Sequence, residues 1–476
     1  MPSANGLYLM NRSNPQARTV RDIFNESPFG VIQWTVFLIC FAVTAIEGFD
    51  TTIIGFIAPA IAQQWQLPGV SLAPLVGVGL AGILLGSILG GTLADKFGRK
   101  TVGAVAIMWF GVASLASSNA HAVFELIVWR FVTGVGIGAA MPVMSALVAE
   151  YCSDRVRSAL LASTFCGFLF GAASAGFATA WLIGMLGWRG MLALSGGLPL
   201  VVLVVFALQV PESPLHMLVR RKPDIVIERA LAKIFPKLDC STILYVTDSP
   251  ATVTNSRFAL LGSEYRLGTF LTWSAEFCGY LVFFLLGSWL PTHLTQGGLS
   301  MHAAAQLSSM FQFGSLGGAI LFAWMVRRFN VAGVAAVAFG VGVTLVVALG
   351  LFETVPWYAG VVFMAGLAIG GPLICINTIA AVFYSTALRA SGGGWTLAIG
   401  RLGSIVGSAL IGLIVASNWP LPLVCMSLAV PIAIACVSMA GMRPLLDGSG
   451  RRPTQGMPGR CDSDGTGGPV TDRSLH

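Results

Sequence analysis

Glu47 and Asp50 lie three residues apart in the stretch AIEGFDTT (45–52), inside an apolar run that extends from near residue 31 to near residue 62. Charged side chains are costly in such surroundings and mark function when they are kept there. At 100° per residue, positions three apart project from nearly the same helix face, one turn from each other. Two carboxylates that share a cavity repel, and the repulsion raises the proton affinity of one of them. That is the behaviour of a proton carrier, neutral when loaded and anionic when released. The alternative is a structural ion pair, for example Asp50 with Arg130 across a helix bundle. Protonation of the acid would release the arginine, so the two readings can coexist.

Arg130 and Arg401 (in AIGRLGS, 398–404) are guanidinium groups set in similarly apolar sequence. A guanidinium stays charged and can bind a carboxylate through two parallel hydrogen bonds. Arg401 is the first choice as an anchor for an organic carboxylate. Gly400 and Gly403 either leave room for a ligand beside it or serve helix packing alone. Arg130 is the second choice, because it can instead neutralise Glu47 and Asp50. Glu276 is a fifth charge at depth and either lines the same cavity or pairs with Arg401.

The elements that hold these residues follow from composition. Of 476 residues, 55% are hydrophobic and only 10% charged, against about 25% charged in a soluble domain. Crossing a bilayer takes roughly 20 mostly apolar residues. The chain offers twelve such segments: 32–60, 72–94, 101–119, 122–146, 158–185, 188–209, 267–290, 303–326, 331–352, 357–383, 393–416 and 419–441. No alternating strands of the barrel kind are seen. The first 30 residues are polar and the first apolar run is too long for a signal-peptide core. The nine cysteines are scattered without a CxxC or His/Cys cluster, which supports neither a disulfide frame nor a metal site.

Positive residues gather in alternate loops. Arg12, Arg18 and Arg21 precede the first span, and Lys96, Arg99 and Lys100 follow the second. Arg155 and Arg157 follow the fourth, Arg220 to Lys222 open the long middle loop, and Arg327 and Arg328 follow the eighth. The opposite loops hold Arg189 as their one fixed cation. This asymmetry places both termini and the middle loop in the cytoplasm. Short basic clusters beside membrane spans do not suggest nucleic-acid binding.

The fold expected is an all-α membrane protein with two six-helix bundles. Its divisions are a cytoplasmic segment 1–31, a bundle 32–210, a cytoplasmic loop 211–265, a second bundle 266–441 and a disordered tail 442–476. Within the loop, 225–235 reads as an amphipathic helix. GSILGGTLADKFGRK (86–100) and GSLGGAILFAWMVRRF (314–329) show a faint internal similarity, as in transporters built from two related halves.

GGTLADKFGRK (90–100), placed after the second span, resembles the signature loop G-x-L-a-D-r-x-G-R-r of the major facilitator superfamily. In a gate of that kind Gly90 and Gly91 let helices approach closely, and Asp95 sits at a helix N-terminus or pairs with a cation. Arg99 can reach Glu150, while Asp154, Arg155 and Arg157 complete an inner charge network that either opens and closes or acts as a fixed clamp. EGFDTTIIGFIAPAI (47–61) resembles the first-span D-G-x-D pattern of the aromatic acid:proton symporter family, with Glu47 in place of the first Asp. Residues 129–158 and 375–407 are similar to that family's fourth span and tenth-to-eleventh region, with Ser385 where the family usually has Pro. Glu276 matches no part of the pattern.

The resemblance implies a monomeric transporter in a bacterial-type cytoplasmic membrane that imports small aromatic carboxylates with protons by alternating access. Asp50 and Glu47 would couple the proton. Arg401 and Arg130 would bind substrate, with Trp395 and Tyr280 preferred among Phe49, Trp273, Trp289 and Tyr384 as ring contacts. Asp95, Arg99, Glu150, Arg157 and Gly91 would gate. An efflux antiporter is a second reading, weakened by Ala172 in GFLFGAASAG (167–176), where antiporters of the superfamily often have Pro. Importers of muconate or phenylpropionates and a membrane receptor for aromatic acids are further alternatives. No nucleotide, nucleophile or metal motif is present, so neither a cofactor nor an enzyme activity is expected.

Overall fold

Hydrocarbon offers no water to backbone N–H and C=O groups, so a chain this apolar must satisfy them internally. It does so with helices. The computed structural model describes residues 19–67, 72–220, 222–235, 259–351, 357–384, 388–416 and 419–449, and among these no strand occurs. The parts of the expected loop and tail at 236–258 and 450–476, the segment 1–18 and Ser385 lie outside the described residues.

The first half comprises α1 (Val20–Glu26), α2 (Val31–Trp65), α3 (Leu72–Phe97), α4 (Arg99–Ser118), α5 (Val123–Tyr151) and α6 (Asp154–Gln209). Two short helices follow, α7 (Pro214–Val219) and α8 (Asp224–Ile234). The second half holds α9 (Arg266–Gln296), α10 (Met301–Met325), α11 (Val331–Leu351), α12 (Tyr358–Gly370), α13 (Leu373–Phe383), α14 (Arg389–Ala416) and α15 (Leu421–Ser449).

Among the described residues, ten helical stretches are long and apolar enough to cross a membrane. One of them is α6, whose 56 residues would extend about 84 Å if straight, far beyond a hydrocarbon core of about 30 Å. It divides at Gly187, where φ is +62° and ψ 179°, into the expected fifth and sixth spans. The expected tenth span is broken between α12 and α13 at Gly371 and Pro372, where proline lacks the N–H that a continuous helix needs. With α14, 28 residues long, the twelve-helix arrangement is complete.

Close packing comes from small residues. Gly82, Gly86 and Gly90 form one ridge of α3, and a Cβ on any of them would run into the α5 backbone at Phe131, Val135 or Ala139. Such ridges give helices in lipid their van der Waals contact. Gly314 and Gly318 of α10 lie in the same way on Phe363 and Leu367 of α12. The two internally similar stretches therefore hold matching places in the two halves. Gly91 does not share this role. Turned about 100° from the ridge, it faces open space.

The end of the molecule that carries the basic loops is covered by a layer of short helices. α1 starts at a Thr19/Asp22 capping box and buries Val20, Ile23 and Phe24. α8 buries Ile227, Leu231 and Ile234 along one face, which matches the expected amphipathic helix. The Phe24 and Phe235 rings join the two, with centroids 5.1 Å apart. The tail departs from expectation. Its first residues, 442–449, continue α15, with Met442 buried, because the apolar face of that helix extends past the predicted boundary. Toward the opposite end the two halves meet. Phe177 of α6 packs on Phe313 of α10 with ring centroids 5.3 Å apart, and the His302 ring donates to the Ala180 carbonyl at 2.8 Å.

Candidate functional site

Asp50 is fully buried inside the first half. Its Oδ1 accepts hydrogen bonds from Ser114 of α4 at 2.7 Å and Ser195 of α6 at 2.8 Å. Its Oδ2 lies 3.0 Å from Arg130 Nη1 of α5, and Arg130 Nη2 donates to the Asp50 backbone carbonyl at 3.0 Å. A carboxylate and a guanidinium in hydrocarbon are tolerable only as a pair with further hydrogen bonds, and this pair has them. Two expectations change as a result. Asp50 and Glu47 do not face one cavity as a repelling pair, because the Asp50 carboxylate is turned into the bundle toward Arg130. Arg130, committed to Asp50 and almost wholly buried, does not join the cavity that holds Arg401.

That cavity lies between the halves and is tightly packed, with about 10 Å³ free, about the room that one water needs. The first half lines it with Met141, Phe165 and Phe168, and the second with Tyr280, Phe284 and Arg401. Like ligand pockets, it is largely apolar with a few placed polar groups. Tyr280 and Phe284 are stacked, with ring centroids 6.1 Å apart. Arg401 Nη2 donates to Met141 Sδ at 3.0 Å, a weak acceptor for so strong a donor. Glu47 of α2 and Glu276 of α9 are both fully buried, and neither has a hydrogen-bond partner among the described residues. The charge of Arg401 acts on both. The lining supplies aromatic walls and one guanidinium, and the two acids lie outside it within reach of the Arg401 charge, a set of groups able to bind a ring carboxylate and exchange protons when the space widens.

Trp395 is not part of it. It is 49% exposed, shares an outward stripe of α14 with Leu402 seven residues on, and packs against Trp273. Seven residues are two turns, so the two side chains face the surroundings together while Arg401 points elsewhere. Gly400 abuts Glu276 and Tyr280, whereas Gly403 serves packing against the α9 backbone at Phe277. Tyr384 is buried and donates to Thr269 Oγ1 at 3.1 Å, away from the cavity lining.

At the basic end, Arg99 gathers a cluster. Its Nε donates to Glu150 Oε1 at 2.9 Å, its Nη2 is 2.9 Å from Asp95 Oδ1, and its Nη1 donates to the Ala94 carbonyl at 3.1 Å. Asp95 thus pairs with a cation from the last turn of α3 rather than capping a helix start. Burial, with the Arg99 charge alongside, holds the His216 imidazole below its usual range. A neutral ring accepts from Arg99 Nη1 at 2.9 Å. Arg157 belongs to a separate cluster. It lies 3.7 Å from Asp154, which also binds Arg21 and Asn25. The single network expected here is therefore two. Sequence reasoning missed Ser114, Ser195, Phe165, Phe168, Met141 and His216. Each is unremarkable in its own segment and gains meaning only from its neighbours across helices.

The model of the Major Facilitator Superfamily matches residues 40–408. The chain is 37% identical over 423 residues to the 4-hydroxybenzoate transporter PcaK of Pseudomonas putida, covering 88% of this chain and 94% of that one. It is 36% identical over 422 residues to the gallate transporter of Pseudomonas putida, with the same coverage. Its fold is similar to the inward open conformation of the xylose transporter XylE from E. coli, with a TM-score of 0.67 at 16% identity over 88% of this chain and 99% of that chain. The chain is a member of the major facilitator superfamily, grouped by sequence with transporters of aromatic acids.

Proposed function

We propose that this protein imports small aromatic carboxylates of the hydroxybenzoate kind together with protons, by alternating access across a bacterial cytoplasmic membrane with both termini inside. The observation that carries the reading is Arg401, set in an aromatic-lined cavity between the two halves. A guanidinium gives a carboxylate two parallel hydrogen bonds, and Tyr280 offers the ring a face. The names of the relatives, 4-hydroxybenzoate and gallate transporters, point to the same class of substrate.

An anion entering against a negative-inside potential works against about 2.3 kcal/mol per charge per 100 mV. A proton carried with it offsets that charge. Glu47, which faces the field of Arg401, is the acid best set to carry one. Asp50 contributes through its pair with Arg130, which a proton would break. Arg99, Glu150 and Asp95 hold the basic end closed in part of the cycle. The test is uptake of labelled 4-hydroxybenzoate, gallate and benzoate by membrane vesicles with and without an inward proton gradient. Saturable uptake driven by the gradient is expected, and it should fall sharply in Arg401→Lys, whose ammonium cannot bind bidentately. Uptake indifferent to the gradient would reject the proton coupling, and normal affinity in Arg401→Lys would reject the anchor.

A further inference from the structure

Glu276 belongs to no motif in the sequence, and the transport scheme leaves it without a task. It is fully buried on α9 with both carboxylate oxygens unpartnered among the described residues. Its side chain lies against α14 at Gly400, where a Cβ would stand 2.9 Å from Glu276 Cγ and 3.1 Å from Tyr280 Cδ2. Arg401 is the next residue, and among the described residues its side-chain hydrogen bond goes to a thioether. The charged and titratable groups facing this place are Tyr280 from α9 itself and Arg401 from α14, and the Arg401 charge reaches Glu47 of α2 as well. α10, α12 and α13 carry no Asp, Glu, Lys or Arg, and those of α15 lie in its last turns.

A buried carboxylate without hydrogen bonds is stable only beside a cation or with a proton on it. A buried guanidinium has the first choice alone, since it does not deprotonate. With both Glu47 and Glu276 ionised, the Arg401 cluster carries one net negative charge and repels a carboxylate. With both protonated, it carries the positive charge of Arg401 and attracts one. We infer that Glu276 is a second proton-carrying acid of the cavity, which balances Arg401 while no substrate is bound and takes a proton as a substrate carboxylate displaces it. The inference rests on the transport reading above. The proton comes from solution onto a Glu276 oxygen as the substrate binds Arg401. When the substrate leaves, Glu276 returns the proton to the solution on that side and balances Arg401 again. One acid from each half thus answers to one arginine, and two protons travel with each anion.

The test uses the full chain, purified and reconstituted, with 4-hydroxybenzoate as probe. Each proton taken up on binding makes affinity fall about tenfold per pH unit where the acids are ionised. Glu276→Gln should lose about one such tenfold step per pH unit and bind more tightly than wild type at alkaline pH, while Glu276→Asp keeps the wild-type slope. A Glu276→Gln protein that is weaker at every pH with an unchanged slope would show a packing role and overturn the inference. Should that variant not fold, the wild type decides by itself. In weak buffer about two protons should be taken up per bound 4-hydroxybenzoate, and about one or none overturns the inference. Failure of the transport reading looks different, since wild-type protein would then bind 4-hydroxybenzoate not at all or without any pH dependence, and the inference would fall with it.

Discussion

The two arginines of the membrane core, Arg130 buried and Arg401 half-buried, stand in opposite conditions. Arg130 is held by Asp50 through side chain and backbone, and Asp50 is completed by Ser114 and Ser195. Arg401 has a thioether for a partner, and the two acids in its field lack hydrogen bonds among the described residues. Both sites combine carboxylate and guanidinium at the same depth of the sequence pattern. At the first, Ser114 and Ser195 complete one carboxylate oxygen although Arg130 Nε lacks a hydrogen-bond partner among the described residues, and at the second neither acid has any. A charge in lipid marks function by default, yet the sharper indicator here is the acid that the fold leaves without any hydrogen bond among the described residues.

That contrast breaks most readily at Asp50. Asp50→Ala should strand the Arg130 charge, and breaking a buried pair from one side costs about 3–5 kcal/mol. Folded yield and thermal stability in detergent should collapse, whereas Arg401→Ala should fold, because Glu47 and Glu276 can become neutral by protonation. Equal stability losses in the two variants would show that the sites do not differ in kind. Arg401→Ala is next in size and acts on function. Charge-assisted hydrogen bonds contribute about 1.5–3 kcal/mol, so affinity for 4-hydroxybenzoate should drop roughly 10- to 100-fold. A smaller effect separates the sites by their second partners. Ser114→Ala removes one donor to Asp50 and should lower stability by about 1 kcal/mol, while Met141→Leu beside Arg401 should leave stability nearly unchanged, since the lost acceptor is weak.

Much of this architecture was legible in the sequence because the membrane imposes a single strong rule. Apolar runs of the right length must be helices, so the spans came out in order, and Gly90 was legible as a point of close helix approach. Errors arose where a property depends on rotation or on a distant partner. Glu47 and Asp50 share a face by periodicity, but Ser114 and Ser195, 64 and 145 residues downstream of Asp50, decide where its carboxylate turns. Trp395 and Arg401 lie in one helix, and about a third of a turn decides which of them meets lipid. Gly90 and Gly91 differ by one residue, and only one of them touches α5. The cavity's phenylalanines could not be distinguished from lipid-facing ones before the bundles were placed.

Arg99 supplies the intermediate case and the smallest expected effect. It is paired with carboxylates as Arg130 is with Asp50, but another of its partners, His216, titrates. The folded protein holds His216 below its ordinary pKa of 6.5, so over the interval beneath 6.5 the unfolded chain binds more protons than the native one. Stability then rises with pH through that interval and is lost as pH falls through it. A protonated His216 also sets a second positive charge against Arg99, which should loosen its hold on Glu150. Thermal stability measured between about pH 5 and 8 should therefore fall more on acidification in wild type than in His216→Gln, with the two curves converging above neutrality. Parallel curves would remove His216 from the cluster's energetics and leave Arg99 held by Glu150, Asp95 and the Ala94 carbonyl alone.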